Sequence, residues 1–298
     1  MKIGILMGGI SGEREISILT GNAVLEACNK IGYDTTQIIL GENINGIIEE
    51  LQSMDKIFIS LHGGIGENGT IQGFLETLGI PYTGSGPLSS AIGMNKHISK
   101  TLVRQNGILT PNWHTIVFKD VNNDCRDLDY PLVVKPNDQG SSLGVTIVKN
   151  DIELEKAKIS AFEYGSEIII EKFIHGRELS VSVIGGDVYP IVEIIPSHKM
   201  YDYNCKYSQG MSTYQCPAHL SSDQENEIQA VAKNIYEIHN CRNYSRIDFR
   251  FSKSGEAWFL EINTLPGMTD TSLVPMAFKA QGGNFEELIQ KIVEEDEI

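Results

Sequence analysis

Cysteine and long hydrophobic runs are both scarce in this 298-residue sequence. The five cysteines are odd in number and include no C-x-x-C pair, a pattern typical of reduced cytosolic thiols and not of a disulfide framework. The first apolar run, in MKIGILMGG, is stopped by two glycines, so it is too short for a signal sequence or a membrane span. We therefore expect a cytoplasmic protein without a membrane partner.

Positive charge is also in short supply. The 24 lysines and arginines are outnumbered by 39 aspartates and glutamates, which gives a net charge of −15. This balance argues against nucleic acid or an anionic membrane as the main partner, although it is compatible with a local basic pocket. The hydrophobic content of 41% is ordinary for a globular protein, and the length allows two or three domains with a substantial core.

Strands and helices alternate from Met1 to about Met94. The segments KIGILM, TTQIIL and KIFISL have strand character, and each is followed by a segment with helical character. This alternation predicts a parallel sheet covered on both faces, in a Rossmann-like domain at 1–94. Ligands of such sheets lie beyond the carboxyl ends of the strands, where the Gly-rich loops GGISGERE and HGGIGENGT stand.

The rest of the chain predicts two α+β units, at 95–178 and 179–298. The first starts with the helix KHISKTLVRQNG and contains the strands PLVVKP, GVTIV and EIIIEKF. The second contains two strands, a long helix, a hairpin and two carboxy-terminal helices. Its irregular segment 196–221 is too long for an ordinary connection, and its tyrosines and lysine favour an ordered lid.

The hairpin RIDFRFSKSGEAWFLEINTLPGMT carries an unusual set of polar side chains. Its two strands flank a Lys-Ser-Gly turn, and alternate residues of a strand lie on opposite faces of the sheet. One face is predicted to hold two carboxylates, an amide and a guanidinium, and the other face only apolar side chains. The polar set is Arg246, Asp248, Glu261 and Asn263, and the apolar set is Ile247, Phe249, Leu260 and Ile262.

Two carboxylates on one partly buried face repel each other unless a cation lies between them. Asp248, Glu261 and Asn263 offer only hard oxygen ligands, which suit magnesium better than zinc. Magnesium usually keeps waters and phosphate oxygens in its other positions, so the hairpin indicates a site for magnesium and ATP. The alternative is a solvated outer face of the sheet on which acidic residues alternate by chance.

A second pattern, VVKPNDQGSSLGV, places Lys135 at a strand end before a Gly-Ser loop whose amides can close over phosphates. It is not a Walker loop, because the G-K-[ST] ending is missing, and a plain hairpin turn fits it equally well. Lys172 follows Glu171 in the strand IIIEKF, and Glu178 lies five residues beyond that strand. The two glutamates suit an adenine amino group and a ribose hydroxyl, although surface solvation explains isolated glutamates more often.

Together these patterns resemble the ATP-grasp fold, in which ATP lies between two α+β units. More narrowly, seven ordered segments that span nearly the whole chain resemble the D-alanine:D-alanine ligase family. They are GGISGEREISILTG, HGGIGENGTIQGFLETLGIPYTGSG, MNKHISK, VVKPNDQGSSLGV, YDYNCKY, RIDFR and EINTLPGMTDTSLVP. The resemblance implies a mixed α/β and α+β class, with a Rossmann-like amino-terminal domain followed by a two-part ATP-grasp fold. Asn68 and Gln139 depart from the family, which often has an acidic residue at these positions.

The resemblance implies roles for residues at the first amino-acid site. Glu13 holds the ammonium group of the first D-alanine, with His62 close by. The hydroxyl groups of Ser141 and Tyr207 hydrogen-bond with Glu13 and tie the lid to the site. For His62, a loop histidine that bonds a backbone group is the alternative.

The resemblance also implies how ATP and the second D-alanine are bound. Arg246 and the Gly267 amide stabilise the oxyanion, while Ser272 and the Leu273 amide receive the carboxylate of the second D-alanine. ATP phosphates are met by Lys96, Lys135, Lys172 and Lys206. Two Mg²⁺ ions, for which Mn²⁺ can substitute, are bound by Asp248, Glu261 and Asn263.

The implied reaction joins two D-alanine molecules through an acyl phosphate, with release of ADP and phosphate, for peptidoglycan synthesis. The implied partners are ATP, D-alanine and a second copy in a homodimer. One alternative is another ATP-grasp ligase, such as one for L-amino acids, which the set of Glu13, Ser141 and Tyr207 disfavours. The other is a nucleotide sensor without turnover, which the complete set of hairpin residues and Lys135 disfavours.

Overall fold

Three β-sheets, each with packed helices, organise the chain in a computed structural model that describes residues 1–118, 127–196, 212–269 and 271–295. The first sheet is parallel and the other two are antiparallel, which confirms the predicted mixture of α/β and α+β units. The sheets lie within 2–59, 113–172 and 176–263. The predicted domain limits at 94 and 178 stay a prediction; the strand that starts the third sheet begins at Gly176.

The first sheet has the strand order β2-β1-β3, with β1 in the centre. All but the first residue of β1 are buried, because helices cover both faces of a parallel sheet, and this explains the continuous apolar run in KIGILM. The strands are β1 (Lys2–Gly8), β2 (Asp34–Leu40) and β3 (Lys56–Ile59). The helices are α1 (Arg14–Ile31), α2 (Ile48–Gln52), α3 (Thr70–Thr77), α4 (Pro87–Met94) and α5 (Lys96–Gln105), with 3-10 turns at Ile44–Ile47 and Gly64–Gly66.

The second sheet has the order β4-β7-β5-β6 and carries Lys135 near the end of its most buried strand. The helix α6 (Asp151–Phe162) packs on it and starts at the cap Asn150, whose side chain accepts from the Glu153 amide. The strands are β4 (Trp113–Val117), β5 (Leu132–Pro136), β6 (Thr146–Val148) and β7 (Glu167–Lys172).

The third sheet has the order β11-β10-β8-β12-β13, with β9 paired to β8. Its strands are β8 (Gly176–Ile184), β9 (Asp187–Val188), β10 (Val192–Pro196), β11 (Ser212–Gln215), β12 (Tyr244–Ser252) and β13 (Ala257–Asn263). Its helices are α7 (Ser222–Ile238), α8 (Leu273–Ala280) and α9 (Phe285–Glu294).

The segment 196–221, predicted to be irregular throughout, contains the short edge strand β11. Its four residues pair antiparallel with β10, from Glu193↔Gln215 to Pro196↔Ser212. Four residues are too few for a pattern in the sequence, and the partner strand β10 stabilises them through its backbone ladder. The stretch 197–211, which includes Lys206 and Tyr207, lies outside the described residues.

The predicted face assignment of the hairpin is wrong at one residue, Leu260. Up to Asp248↔Glu261 the two strands pair in regular register, and the next pair is Phe249↔Phe259. This β-bulge adds one residue to β13, so the fully buried Phe259 takes the core position in place of Leu260. Leu260 lines a surface pocket instead.

The core of the first sheet continues into the carboxy-terminal part of the chain. Ile184 and Tyr244 from the third sheet and Val274 from α8 pack in the same apolar cluster as β1. The amino-terminal sheet and the third sheet are therefore held against each other by a shared core. The loops at the carboxyl ends of β1 and β3 consequently lie close to the hairpin.

A buried histidine joins α5 to α7 and makes stability depend on pH. His239 has no exposed surface; its ring bonds the Ser99 hydroxyl and the Ile235 carbonyl, both at 2.8 Å. Burial lowers the pKa of His239 from 6.5 to about 4. Between these values the unfolded chain binds the proton and the folded chain does not, so stability falls as pH falls through this window.

We expect unfolding in urea to show this loss directly. Lowering the pH from 7.5 to 5 should cost about 2 kcal/mol of unfolding free energy through His239. In His239→Gln that part of the pH dependence should disappear, whereas the matched change at the exposed His219 should retain it. An unaltered pH dependence in His239→Gln would contradict the assignment.

Candidate active site

A cavity of about 640 Å³ lies where the first loop, the Gly-Ser loop and the hairpin meet. Fifteen of the predicted site residues lie in described segments, and each of them lines this cavity or an adjoining pocket. The cavity itself is lined by Glu13, His62, Lys96, Ser141, Arg246, Glu261, Asn263, Gly267, Ser272 and Leu273. The fold thus brings together residues up to 260 positions apart in the sequence, from Glu13 to Leu273.

Glu13 lies at the start of α1, and its side chain is buried in the cavity wall. The Ser141 hydroxyl donates a short hydrogen bond to its Oε1 atom, as predicted for this pair. The amino-terminal end of a helix favours a carboxylate. Gly63 has a φ of +68°, a left-handed conformation that favours glycine, and a Cβ atom there would lie 2.6 Å from Glu13 Oε2.

His62 is held by two side chains that the sequence analysis did not single out. Its Nε2 lies 3.0 Å from Thr20 Oγ1, and its Nδ1 lies 3.3 Å from Glu67 Oε1. These partners are side-chain groups and not the backbone group of the alternative interpretation. One signal for Thr20 was available, because residues seven apart on a helix share a face and Thr20 is seven residues after Glu13.

The hairpin presents its four polar residues on one face, as predicted. Arg246 pairs with Asn263 and Asp248 pairs with Glu261 across the two strands. Asp248 is only 8% exposed, which rules out a solvated outer face. Arg246 donates to Asp248 from Nε at 3.0 Å and from Nη2 at 2.8 Å.

Further contacts orient the oxygen atoms of this face. The Ser180 hydroxyl donates to Asp248 at 2.7 Å, and the Lys96 ammonium lies 3.3 Å from Glu261 Oε2. Asn263 Oδ1 accepts from the Leu265 amide at 2.9 Å. Positive charge from Arg246 and Lys96 thus offsets the two carboxylates.

The donor set of this face fits a magnesium ion. Asp248, Glu261 and Asn263 supply oxygen atoms only, and they border a cavity with room for waters and phosphate oxygens. In the part of the chain that the structure describes, no three His, Cys, Asp or Glu side chains form a metal-binding group. The third oxygen donor of this face is the side-chain amide of Asn263.

A second pocket of about 120 Å³ adjoins the first and has an apolar wall suited to a nucleotide base. Its apolar lining includes Val133, Ile147, Phe173 and Leu260, from the second and third sheets. Lys96, Gln139 and Glu261 line both pockets, so the two are continuous. The predicted nucleotide residues Lys135, Glu171, Lys172 and Glu178 all line this second pocket.

The lysines near this pocket have different partners. Lys96 donates to the Gln139 carbonyl at 2.6 Å, and Lys172 donates to the Asp129 carbonyl at 2.7 Å. Lys135 donates to Glu171 Oε1 at 2.6 Å. Glu178 Oε2 forms an ion pair with Arg250 Nη1 at 3.2 Å.

A fully buried lysine, Lys100, was missed by the sequence analysis. It donates to Glu171 Oε2 at 2.7 Å, so both Glu171 oxygens accept from lysines. Burial lowers the pKa of Lys100 to about 8, although Glu171 acts in the opposite direction. Burial alone would raise the pKa of Glu171, but Lys100 and Lys135 hold it below its usual value.

Gly267, Ser272 and Leu273 form another part of the cavity wall. A Cβ atom on Gly267 would lie 3.3 Å from Ser272 Oγ and 3.9 Å from His62 Nε2, so Gly267 is a neighbour of both Ser272 and His62. Ser272 caps α8, and its Oγ accepts from the Thr269 amide at 2.9 Å. Leu273 is the first residue of α8, where backbone amides point away from the helix and suit a carboxylate.

Two family models match this chain. The model described as D-ala D-ala ligase C-terminus matches residues 102–294, and the one described as D-ala D-ala ligase N-terminus matches residues 42–85. A D-alanine–D-alanine ligase from Aquifex aeolicus is 40% identical over 295 residues, which cover 98% of this chain and all of that protein. One from Bacillus anthracis is 41% identical over 296 residues, covering 99% of this chain and 96% of that protein.

Solved structures agree with these matches. The crystal structure of a D-alanine–D-alanine ligase from Bacillus anthracis complexed with ATP has a TM-score of 0.88 at 37% identity and covers 99% of this chain and 96% of that one. The VanG D-Ala:D-Ser ligase from Enterococcus faecalis has a TM-score of 0.83 at 31% identity and covers 98% of both chains.

Proposed function

The chain belongs to the D-alanine–D-alanine ligase family, and from that premise we propose that it joins two D-alanine molecules to D-alanyl-D-alanine with ATP. It is an ATP-dependent ligase, and its dipeptide product serves peptidoglycan synthesis. The observation that carries the proposal is the meeting of Glu13 and Ser141 with Arg246, Glu261 and Asn263 around one cavity that continues into the second pocket. This arrangement supports an anionic subsite for an amino group beside a phosphate-binding face.

The first step activates a carboxylate. Glu13, oriented by Ser141, binds the ammonium group of the first D-alanine, and the free carboxylate of that substrate attacks the γ-phosphate of ATP. A bond forms between the carboxylate oxygen and phosphorus, the bond to the β-phosphate oxygen breaks, and ADP leaves. Lys96, which lines both pockets, and Lys135, which lines the second, would offset negative charge on the phosphates, which otherwise repels the nucleophile.

The second step forms the peptide bond. Ser272 and the Leu273 amide at the start of α8 hold the carboxylate of the second D-alanine, whose neutral amine attacks the acyl phosphate carbonyl. Arg246 and the Gly267 amide stabilise the tetrahedral oxyanion. Phosphate then leaves, and the amine loses a proton. Lys206 and Tyr207 belong to the proposed lid, which would exclude water from the acyl phosphate.

Two magnesium ions complete the proposal. We assign Asp248, Glu261 and Asn263 as their protein ligands, with manganese as a substitute, because the three residues supply hard oxygen donors beside the phosphate path. When bound, the ions would neutralise phosphate charge and hold the phosphoryl group in line. Glu171, Lys172 and Glu178 are proposed to border the nucleotide, in the three-domain arrangement 1–94, 95–178 and 179–298.

The proposed surroundings of the enzyme follow from its chemistry. Among the described residues, none of the helices combines the length and apolar character needed to cross a bilayer. We propose that the enzyme works in the cytoplasm, where ATP is supplied, and that it forms a homodimer, as the resemblance implies.

Product identification tests the proposed function. The enzyme is incubated with ATP, magnesium and a panel of D- and L-amino acids, and the products are read by mass spectrometry. D-alanyl-D-alanine should predominate with D-alanine alone. The structural likeness to the Enterococcus faecalis enzyme suggests a second candidate function, that of a D-Ala:D-Ser ligase. An equal mixture of D-alanine and D-serine distinguishes the two candidates by which dipeptide predominates. A dominant L-dipeptide, or ATP hydrolysis without any dipeptide, would refute the proposal.

The Glu13→Gln variant should raise the KM for the first D-alanine about 10- to 150-fold, with little change in the KM for ATP. The reason is the loss of a charge-assisted hydrogen bond to the ammonium group, worth about 1.5–3 kcal/mol. Glu15→Gln is the matched control, because Glu15 is exposed on the same helix turn. Initial rates measured against each substrate give both constants. Equal increases for D-alanine and ATP would mean that Glu13 supports the fold and not the subsite.

A further inference from the structure

Three buried charges, Lys100, Glu171 and Lys135, form a row at the wall of the second pocket. The Glu171 carboxylate accepts from Lys135 at 2.6 Å on one oxygen and from Lys100 at 2.7 Å on the other. Lys100 has no exposed surface, while Glu171 is 2% and Lys135 is 6% exposed. The three charges interact strongly with one another, because charges buried at these distances are poorly screened by water.

The two lysines differ in their access to the nucleotide. Lys135 and Glu171 line the second pocket, whereas the described residues that line either pocket do not include Lys100. The Lys100 ammonium lies 5.0 Å from the centre of the Trp113 ring, and the guanidinium of Arg104 lies 4.1 Å from the same ring. Lys100 therefore lines neither pocket in the described part of the chain, and its hydrogen-bond partner Glu171 connects it to the second one.

The net charge of the three residues determines how strongly the second pocket attracts a polyphosphate. With both lysines protonated, two positive charges and one negative charge leave a net charge of +1 beside the pocket. With Lys100 replaced by a neutral side chain, Lys135 and Glu171 form a pair with no net charge. A polyphosphate is then attracted less, and the Lys135 ammonium is drawn toward its remaining partner.

We propose that Lys100 is a positioning residue for ATP binding: it neutralises the Glu171 carboxylate and so leaves the charge of Lys135 available to the ATP phosphates. This inference rests on the proposed ligase function. It also explains why an ammonium group is kept at a position with no exposed surface, where a charge is otherwise costly.

Calorimetric titration with ATP and magnesium, without D-alanine, tests the role of Lys100 directly. Lys100→Met should raise the Kd for ATP about tenfold, because one net positive charge is lost beside the phosphates. Lys100→Arg keeps the charge and should stay within about threefold of the wild type. Lys158→Met is the control, since Lys158 is also buried but pairs with Glu155 on α6.

The decisive variant combines Lys100→Met with Glu171→Gln. Because Glu171 is itself proposed to border the nucleotide, the double variant is compared with Glu171→Gln alone and not with the wild type. Without the carboxylate Lys100 has nothing to neutralise, so the two Kd values for ATP should agree within about threefold. A role of Lys100 in packing alone would weaken ATP binding in both backgrounds. If Lys100→Met does not fold, this comparison still decides, because the double variant buries no uncompensated carboxylate.

The outcomes separate this inference from the proposed function. An unchanged Kd for ATP in Lys100→Met, or a double variant that binds ATP ten times more weakly than Glu171→Gln alone, overturns the role of Lys100. Failure of the ligase proposal appears elsewhere, as a wild-type enzyme that binds ATP but makes no dipeptide. Thermal melting of every variant, with Lys158→Met as reference, shows how much of any change comes from lost stability.

Discussion

Replacing Glu261 by Gln should reduce dipeptide formation by about two to three and a half orders of magnitude. Glu261 faces Asp248 across the hairpin, lines both pockets and lies 3.3 Å from the Lys96 ammonium. The change removes a proposed magnesium ligand and also leaves Lys96 without its carboxylate. A bound metal ion supplies several kcal/mol of transition-state charge stabilisation, and a loss of about 3–5 kcal/mol corresponds to that range of rates.

A control on the same hairpin isolates this effect. Glu256→Gln makes the same chemical change at an exposed residue near the turn, and we expect a nearly normal rate. Circular dichroism should show an intact fold in both variants. The magnesium concentration needed for half-maximal ADP release should rise in Glu261→Gln only. Near-normal turnover of Glu261→Gln would contradict the assignment of this face as the metal site.

Replacing Arg246 by Ala should lower kcat about 10²- to 10³-fold, the usual effect of losing one oxyanion donor. Arg246 lines the cavity and holds the Asp248 carboxylate with two nitrogen atoms. Arg246→Lys should recover only part of the rate, because a lysine keeps the charge without the two-pronged geometry. Single-turnover measurements should place the loss after the formation of ADP, since the oxyanion arises in the second step.

The neighbouring strand supplies the matched control for Arg246. Arg177 on β8 pairs with Glu193 on β10, and neither residue lines the cavity among the residues that the structure describes. Arg177→Gln breaks a comparable arginine–carboxylate pair in the same sheet, so any loss of stability should appear there with an unchanged kcat. An equal fall in kcat for both variants would show that the effect comes from the sheet and not from oxyanion binding.

The sequence predictions were correct where they rested on patterns that repeat over neighbouring residues. Alternation of strands and helices predicted the parallel order around β1, because a buried strand between helices needs apolar residues on both faces. The period of two predicted that Arg246, Asp248, Glu261 and Asn263 share a face, and the strand register agrees. The same rule failed at Leu260, where a bulge changes the count by one residue.

The sequence by itself determined the family, the fold class and the chemical types around the cavity, because ordered motifs and short-range periods are properties of neighbouring residues. Only the tertiary structure decided which distant side chains meet. Nothing near Lys100 in the sequence indicates Glu171, and nothing near His62 indicates Thr20, yet packed helices and sheets bring each pair within hydrogen-bonding distance. The physical reason is that burial and charge pairing depend on the whole packed core, in which the energy of a charge is set by atoms far away along the chain.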